Sequence, residues 1–168
     1  DYIIEPLSKV LSSASISYVK WDMNRNMTEI GSAKLPPERQ RELPHRYMLG
    51  LYRIMEELTT AFPHILFESC SGGGGRFDPG MLYYMPQTWT SDNTDAIERL
   101  KIQYGTSLVY PNVSMGCHVS AVPNHQVHRM TPLNTRGVVA MSGNFGYELD
   151  ITKLSDEEKE MIKEQIKN

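Results

Sequence analysis

The chain has 168 residues, of which 40% are hydrophobic, enough to bury the core of one domain and too many for a disordered segment. Seventeen Lys and Arg stand against 20 Asp and Glu, a formal net charge of -3. No basic face is offered to nucleic acid or to an anionic membrane, and no apolar run approaches the length of a bilayer span.

Two cysteines, Cys70 and Cys117, are too few for a disulfide scaffold and fit a reducing compartment. The first residue is Asp1 rather than Met, and Lys167-Asn168 closes the chain inside a helical pattern, as expected of an excerpt from a longer protein.

Ile3, Ile4, Leu7, Val10, Leu11 and Ala14 recur at helical spacing and predict a first helix, with Pro6 tolerated in its first turn. A β-rich run follows (Ile16, Tyr18, Val19, Trp21) and ends in the stretch Lys20 to Asn26, where Lys20, Asp22, Asn24 and Arg25 cluster. A strand thus delivers a carboxylate, an amine and an amide at its C-terminal end, where α/β enzymes keep their chemistry. A polar loop from Met27 to Leu43, with Pro36-Pro37 inside it, leads to a second helix from Pro44 to Phe62. Its apolar stripe is Tyr47, Leu51, Ile54, Met55 and Leu58, and Pro63 stops it. His64 to Ser69 reads as a short apolar strand running into Cys70-Ser71-Gly72-Gly73-Gly74-Gly75-Arg76-Phe77-Asp78.

After a loop of aromatics and methionines, Gln87 to Asp92 is expected to be a third strand with a second carboxylate at its end. Asn93 to Tyr104 is expected to be a helix with Ile97, Leu100 and Lys101 at helical intervals, terminated by Gly105. Ser107 to Tyr110 reads as a fourth strand, and Asn112 to Met130 has no clear period. Pro132 to Ser142 predicts a short helix and Asn144 to Asp150 a fifth strand. Ser155-Asp156-Glu157-Glu158 is a capping box for a last helix with Met161, Ile162 and Ile166 inward. Five strands alternating with helices, each too short and too apolar to be half exposed, predict an α/β fold with a parallel sheet covered by helices. Polar clusters at successive strand ends favour part of a (β/α)8 TIM barrel over an open doubly wound sheet, because a barrel gathers all strand ends around one hole.

Asp22 and Asp92 are the candidate catalytic pair. Two carboxylates flanking a pocket are what glycoside hydrolysis requires, one acting at the anomeric carbon and the other protonating the leaving oxygen. Lys20 shares a strand face with Asp22, where it either keeps that carboxylate ionised and reaches a sugar hydroxyl or forms a strand-end salt bridge. Trp21 is expected to face the covering helices, and Trp89, three residues before Asp92, to be core. The four glycines suit a phosphate cradle or a side-chain-free wall for a sugar ring, without the ending of a P-loop or the spacing of a dinucleotide fingerprint. Cys70 reads as a buried thiol touching substrate or core rather than a nucleophile. Cys117, His118, His125 and His128 are the candidate metal ligands, but their spacing matches no strong zinc pattern and a structural loop is favoured.

Taken in order, Lys20-Trp21-Asp22-Met23-Asn24-Arg25, the Cys70 to Asp78 run and Trp89-Thr90-Ser91-Asp92-Asn93-Thr94-Asp95-Ala96 make the chain resemble glycoside hydrolase family 36, the bacterial α-galactosidases. His118 to His125 and Gly143 to Asp150 extend the likeness over nearly the whole chain. The resemblance implies a retaining double displacement in a (β/α)8 barrel, with Asp22 as nucleophile and Asp92 as acid and base. It implies that Lys20, Asn24 and Cys70 contact galactose, with Gly72 and Arg76 as neighbours, and that no metal or other cofactor takes part.

The same resemblance implies that residues 1–168 are a catalytic domain truncated on its N-terminal side, with the barrel's fourth to eighth strands. The first three strands, a β-sandwich, a C-terminal β-domain and the acidic pair reading the sugar's 4- and 6-hydroxyls would lie outside it. The full-length protein is then expected to be a cytoplasmic homo-oligomer acting on α-galactoside oligosaccharides such as melibiose and raffinose. Galactosyl transfer to another sugar is the related alternative. A non-catalytic fold fragment is the rival from another class.

Overall fold

The structure is a computed structural model that describes residues 2–25 and 27–167; Asp1, Asn26 and Asn168, the ends of the chain and the last residue of the polar stretch after the first strand, lie outside the described residues. In chain order the elements are α1 (Ile4–Ser12), β1 (Tyr18–Asp22), α2 (Leu43–Ala61), β2 (Leu66–Cys70), α3 (Pro79–Tyr84), β3 (Gln87–Thr88), α4 (Ala96–Ser107), β4 (Gly116–Ser120), α5 (Leu133–Ala140), β5 (Asn144–Glu148) and α6 (Asp156–Lys167). A 3-10 turn, Pro37–Glu42, sits in the polar loop before α2.

Every strand pair is parallel. β1, β2 and β3 form one sheet in sequence order, and β4 pairs with β5 in another. A parallel bridge from Thr88 to Met115 joins the two, so each new strand is laid beside its predecessor without a reversal.

Side chains alternate across a strand, and here the two faces differ sharply in polarity. Val19 and Trp21 of β1, Phe67 of β2, Cys117 and Val119 of β4 and Phe145 and Tyr147 of β5 turn to the helices. They build two clusters: one joins α1, α2 and α3 to β1 and β2 through Leu11, Leu51, Met55, Leu58 and Met81, the other joins α5 and α6 to β4 and β5 through Leu133, Ala140 and Ile162. The opposite face carries Tyr18, Lys20 and Asp22 opposite Leu66, Glu68 and Cys70. On this point the expectation of wholly apolar strands is corrected: β1 alternates exposed and half-buried, and no residue of β5 is fully buried.

Other corrections have local causes. Helix α3 falls in the stretch read as loop; Asp78 caps it, accepting the Met81 N–H at 2.8 Å, and Pro79 supplies its first turn. Helix α4 runs through Gly105 to Ser107, and its buried face is Ala96, Arg99 and Gln103 rather than Ile97, Leu100 and Lys101. Arg99 and Gln103 can be buried because Thr90 accepts from the first at 2.8 Å, and Val139 and Ser142 accept from the second at 2.9 and 2.7 Å.

The fourth strand is Gly116–Ser120, not Ser107 to Tyr110; Leu108 and Val109 are 69% and 75% exposed in the turns that finish α4, whereas Cys117 and Val119 are fully buried. Only the first two residues of the expected third strand are strand. The capping box of α6 forms as read, Ser155 N–H to Glu158 at 2.9 Å and Glu158 N–H to Ser155 Oγ at 3.2 Å. Its inward residues are Ile162 and Gln165, while Met161 and Ile166 are exposed; the Gln165 amide accepts from the Tyr147 hydroxyl at 2.7 Å. Among the described residues, no helix is long and apolar enough to cross a membrane.

Candidate active site

The parallel register of β1 on β2 sets Lys20 beside Glu68 and Asp22 beside Cys70, so four polar side chains share one face near the C-terminal end of the sheet. The ladder extends one residue further, Met23 N–H to Cys70 C=O at 3.1 Å. There Asp22 is enclosed by donors: Met23 N–H reaches Oδ1 at 2.9 Å and the Asn24 amide reaches Oδ2 at 2.7 Å. Partial desolvation opposes ionisation of Asp22. Hydrogen bonds from the Cys70 thiol, Asn24 and the N–H groups of Met23 and Gly72 outweigh it and hold the carboxyl below its ordinary value.

The same contact works oppositely on Cys70. Burial pushes the thiol up most; the Gly73 N–H pulls it down, the hydrogen bond and charge of Asp22 push it up again, and Lys20 adds a small downward pull. The sulfur is therefore a protonated donor, free of any disulfide.

Asn24 also accepts the Gly72 N–H at 3.0 Å, and Ser71 Oγ donates to Met23 C=O at 2.8 Å, so the end of β1 and the glycine run after β2 are stitched together. The other side of that run meets the second carboxylate: Gly74 N–H donates to Thr90 C=O at 3.1 Å, and Gly73 lies flat against Ser91 and Asp92. Gly73 has φ +83°, and a Cβ there would stand 2.7 Å from Ser91 Cα and 3.2 Å from the Asp92 nitrogen. This position requires glycine on two counts, conformation and space. Asp92, exposed beyond the end of β3, accepts the Trp89 indole N–H at 3.1 Å.

Lys20 stands 3.7 Å from buried Glu68, with its ammonium 4.7 Å from the Trp89 ring centre. Glu68 also accepts from Tyr18 and, at 2.5 Å, from Gln87. Trp21 packs on the helix side as expected, and its carbonyl accepts from Arg76 at 2.7 Å. Trp89 is buried as expected, but it also touches Asp92, a contact that strand alternation misses because β3 has already ended at Thr88.

The Cys117 and histidine residues do not converge. Cys117 lies in the β4 core, His118 stacks on Trp89 at 4.8 Å with Nδ1 3.6 Å from Glu148, and His125 and His128 are exposed. Among the described residues, no three His, Cys, Asp or Glu side chains gather as a metal site. An apolar cleft of about 540 Å³, walled in part by Trp21, Met23, Tyr47, Leu51 and Arg76, opens beside the rim, and neither Asp22 nor Asp92 lines it.

Lys20, Asp22, Asn24 and Cys70 are thus brought together, and Asp92 is tied to them through the glycine run. Missed in the sequence were Glu68, which neutralises Lys20, and Trp89, which holds Asp92. Glu68, a lone acid inside an apolar strand opposite Lys20, is the signal that could have revealed the first.

Comparison with known proteins gives the family. The melibiase family model matches residues 1–168. The chain is 79% identical over 166 residues to the α-galactosidase AgaA of Geobacillus stearothermophilus, covering 99% of this chain and 23% of that protein. Crystal structures of that family 36 α-galactosidase, as variants in complex with raffinose and with stachyose, superpose with TM-scores of 0.98 and 0.97 at 78% identity, again over 99% of this chain and 23% of theirs. The chain therefore spans less than a quarter of the length of these relatives. With the family model matching from end to end, the chain belongs to the melibiase family.

Proposed function

We propose that this chain is part of the catalytic domain of an α-galactosidase that removes terminal α-linked galactose with retention. The observation that carries the reading is Asp22: an accessible carboxylate at a strand end, held ionised by a thiol, an amide and two backbone N–H groups. Such a group is a nucleophile at rest. It attacks the anomeric carbon while Asp92 gives a proton to the leaving oxygen, and a covalent galactosyl-enzyme forms. Asp92, now a base, takes a proton from water, which displaces Asp22 from the opposite face, so two inversions leave the configuration unchanged.

Cys70 and Asn24 contact the galactose from the positions in which they also support Asp22, and Lys20, beside Glu68, reaches one of its hydroxyls. The relatives add support. The raffinose complex was made with one aspartate changed to asparagine and the stachyose complex with another changed to alanine, and in that chain these two aspartates are 70 positions apart, as Asp22 and Asp92 are here.

The five strands wind in one direction with their polar ends at one rim, which supports the reading of residues 1–168 as about the fourth to eighth strands of a (β/α)8 barrel, lacking its N-terminal side. The full-length enzyme would be cytoplasmic and homo-oligomeric, with raffinose-type oligosaccharides or melibiose as substrates. The test is Asp22→Ala in that enzyme. Cleavage of an activated aryl α-galactoside is expected to be lost and, on adding azide, restored as a galactosyl azide of inverted configuration. Unchanged activity without azide would refute the nucleophile assignment.

A further inference from the structure

Trp89 is 2% exposed, yet it is built differently from the rest of the core. Its ring is faced by an aromatic ring and two cations. The His118 ring stacks on it at 4.8 Å and 30°, the Lys20 ammonium lies 4.7 Å from its centre, and the Arg99 guanidinium lies 4.2 Å from it. Gly116 leaves room for its edge, since a Cβ there would come within 3.3 Å of the indole Cε3. The backbone N–H is fixed to Ser69 C=O at 2.9 Å. An indole so confined has one polar atom, and that atom is spent on Asp92 Oδ1.

Each of these neighbours is itself anchored. Lys20 is held by Glu68 and Arg99 by Thr90, while His118 is drawn toward Glu148. Arg99 is 1% exposed, and among the described residues its Nε and Nη2 lack hydrogen-bond partners. Asp92 itself sits on an irregular segment beyond a two-residue strand, where no ladder fixes its side chain. The glycine run holds the backbone of this segment, and the Trp89 indole N–H holds the side chain.

We propose that Trp89 is a positioning residue for Asp92, its caged indole N–H fixing the carboxyl in the orientation that delivers the proton to the departing oxygen. This rests on the assignment of Asp92 as the acid. The hydrogen bond leaves Oδ2 free for that proton, and the ring's cage keeps the donor from turning away. A sugar leaving group needs protonation and an activated phenol does not, so the residue acts on substrates in proportion to how poor their leaving group is.

The test uses the full-length enzyme with Trp89 replaced by benzothienylalanine, which keeps the ring shape and substitutes sulfur for the N–H. Trp89→Phe serves as a second variant, and Asp92→Asn as the reference. For a sugar leaving group, kcat/KM is expected to fall on the order of tenfold more than for dinitrophenyl α-galactoside, the loss of one hydrogen bond to a charged group. Adding the sulfur replacement to Asp92→Asn is expected to cost nothing further on either substrate. If Asp92→Asn shows no leaving-group dependence, the acid assignment is wrong and the proposal falls with it. If Asp92→Asn shows that dependence while both Trp89 variants lower the two substrates equally, Asp92 stands as the acid and the positioning role is refuted.

Discussion

Replacing Gly73 by Ala isolates the contact that ties the two carboxylates together. The residue sits at φ +83°, where an L side chain costs about 1 to 2 kcal/mol. The new Cβ would then stand 2.7 Å from Ser91 Cα and 3.1 Å from its nitrogen. Ordinary contact begins near 3.4 Å, so the Asp92 segment must retreat by roughly 0.7 Å, and both atoms it meets are backbone. Crowding of this kind adds about 1 to 3 kcal/mol, for a total of about 2 to 5 kcal/mol before relaxation. Since a misplacement of about 1 Å at reacting groups can cost on the order of 100-fold, the expected loss in kcat/KM is some tens of fold.

Gly72→Ala is the control. Its φ of +54° brings similar backbone strain, but nothing lies within 4 Å of the added methyl. Both variants of the full-length enzyme would be assayed on an activated aryl α-galactoside, with thermal unfolding followed in parallel. Gly73→Ala is expected to lose far more activity than Gly72→Ala. Equal activities at comparable stability would refute the idea that the glycine run sets the position of Asp92.

Cys70→Ala removes one of the donors that keep Asp22 ionised. A nucleophile held below its ordinary pKa stays charged as pH falls, so taking a donor away raises that pKa and moves the acid limb of the kcat/KM profile to higher pH. Cys70→Ser, which keeps a donor, is expected to shift it less, and an unmoved limb in Cys70→Ala would count against the thiol's part. Glu68→Ala leaves Tyr18, Gln87 and Lys20 facing an empty buried site. A cost of about 2 to 3 kcal/mol is expected, read as a lowered thermal midpoint, with Glu68→Gln intermediate.

What the sequence revealed and what it hid follow a physical line. Helices α1, α2 and α5 were legible because their core positions are apolar at helical spacing or their stops are marked by proline. The buried faces of α4 and α6 were not, because Arg99, Gln103 and Gln165 are inside, paid for by partners from distant segments: Val139 and Ser142 for Gln103, Tyr147 for Gln165. β4 was hidden for the converse reason. Its sequence, Gly-Cys-His-Val-Ser, has little of the β-branched richness that marks a strand, and the nearby Leu108-Val109-Tyr110 has more of it while lying in turns on the surface. In the site, strand alternation made Lys20 and Asp22 readable as neighbours, while Cys70 was joined to them only by the family resemblance until the register of β1 on β2 set it beside Asp22. The Asp92 surroundings were unreadable, because β3 is two residues long and no period carries past it.

The division of labour at the rim follows from topology. β1 brings Asp22 and β3 leads to Asp92, but these strands are not neighbours; β2 lies between them and carries no catalytic carboxylate. The retaining reaction proposed for them needs the two carboxyl groups only about 5 to 5.5 Å apart. The loop after β2 touches both ends, and it does so with backbone: Gly72 N–H on Asn24, Gly74 N–H on Thr90 C=O, and Gly73 pressed against Ser91. A side chain at Gly73 or Gly74 would push residues 90–92 away. The glycine run that resembles a phosphate cradle in sequence thus works as a spacer between the segments of Asp22 and Asp92, and on the proposed reading the accuracy of that pair depends on residues that have no chemistry of their own.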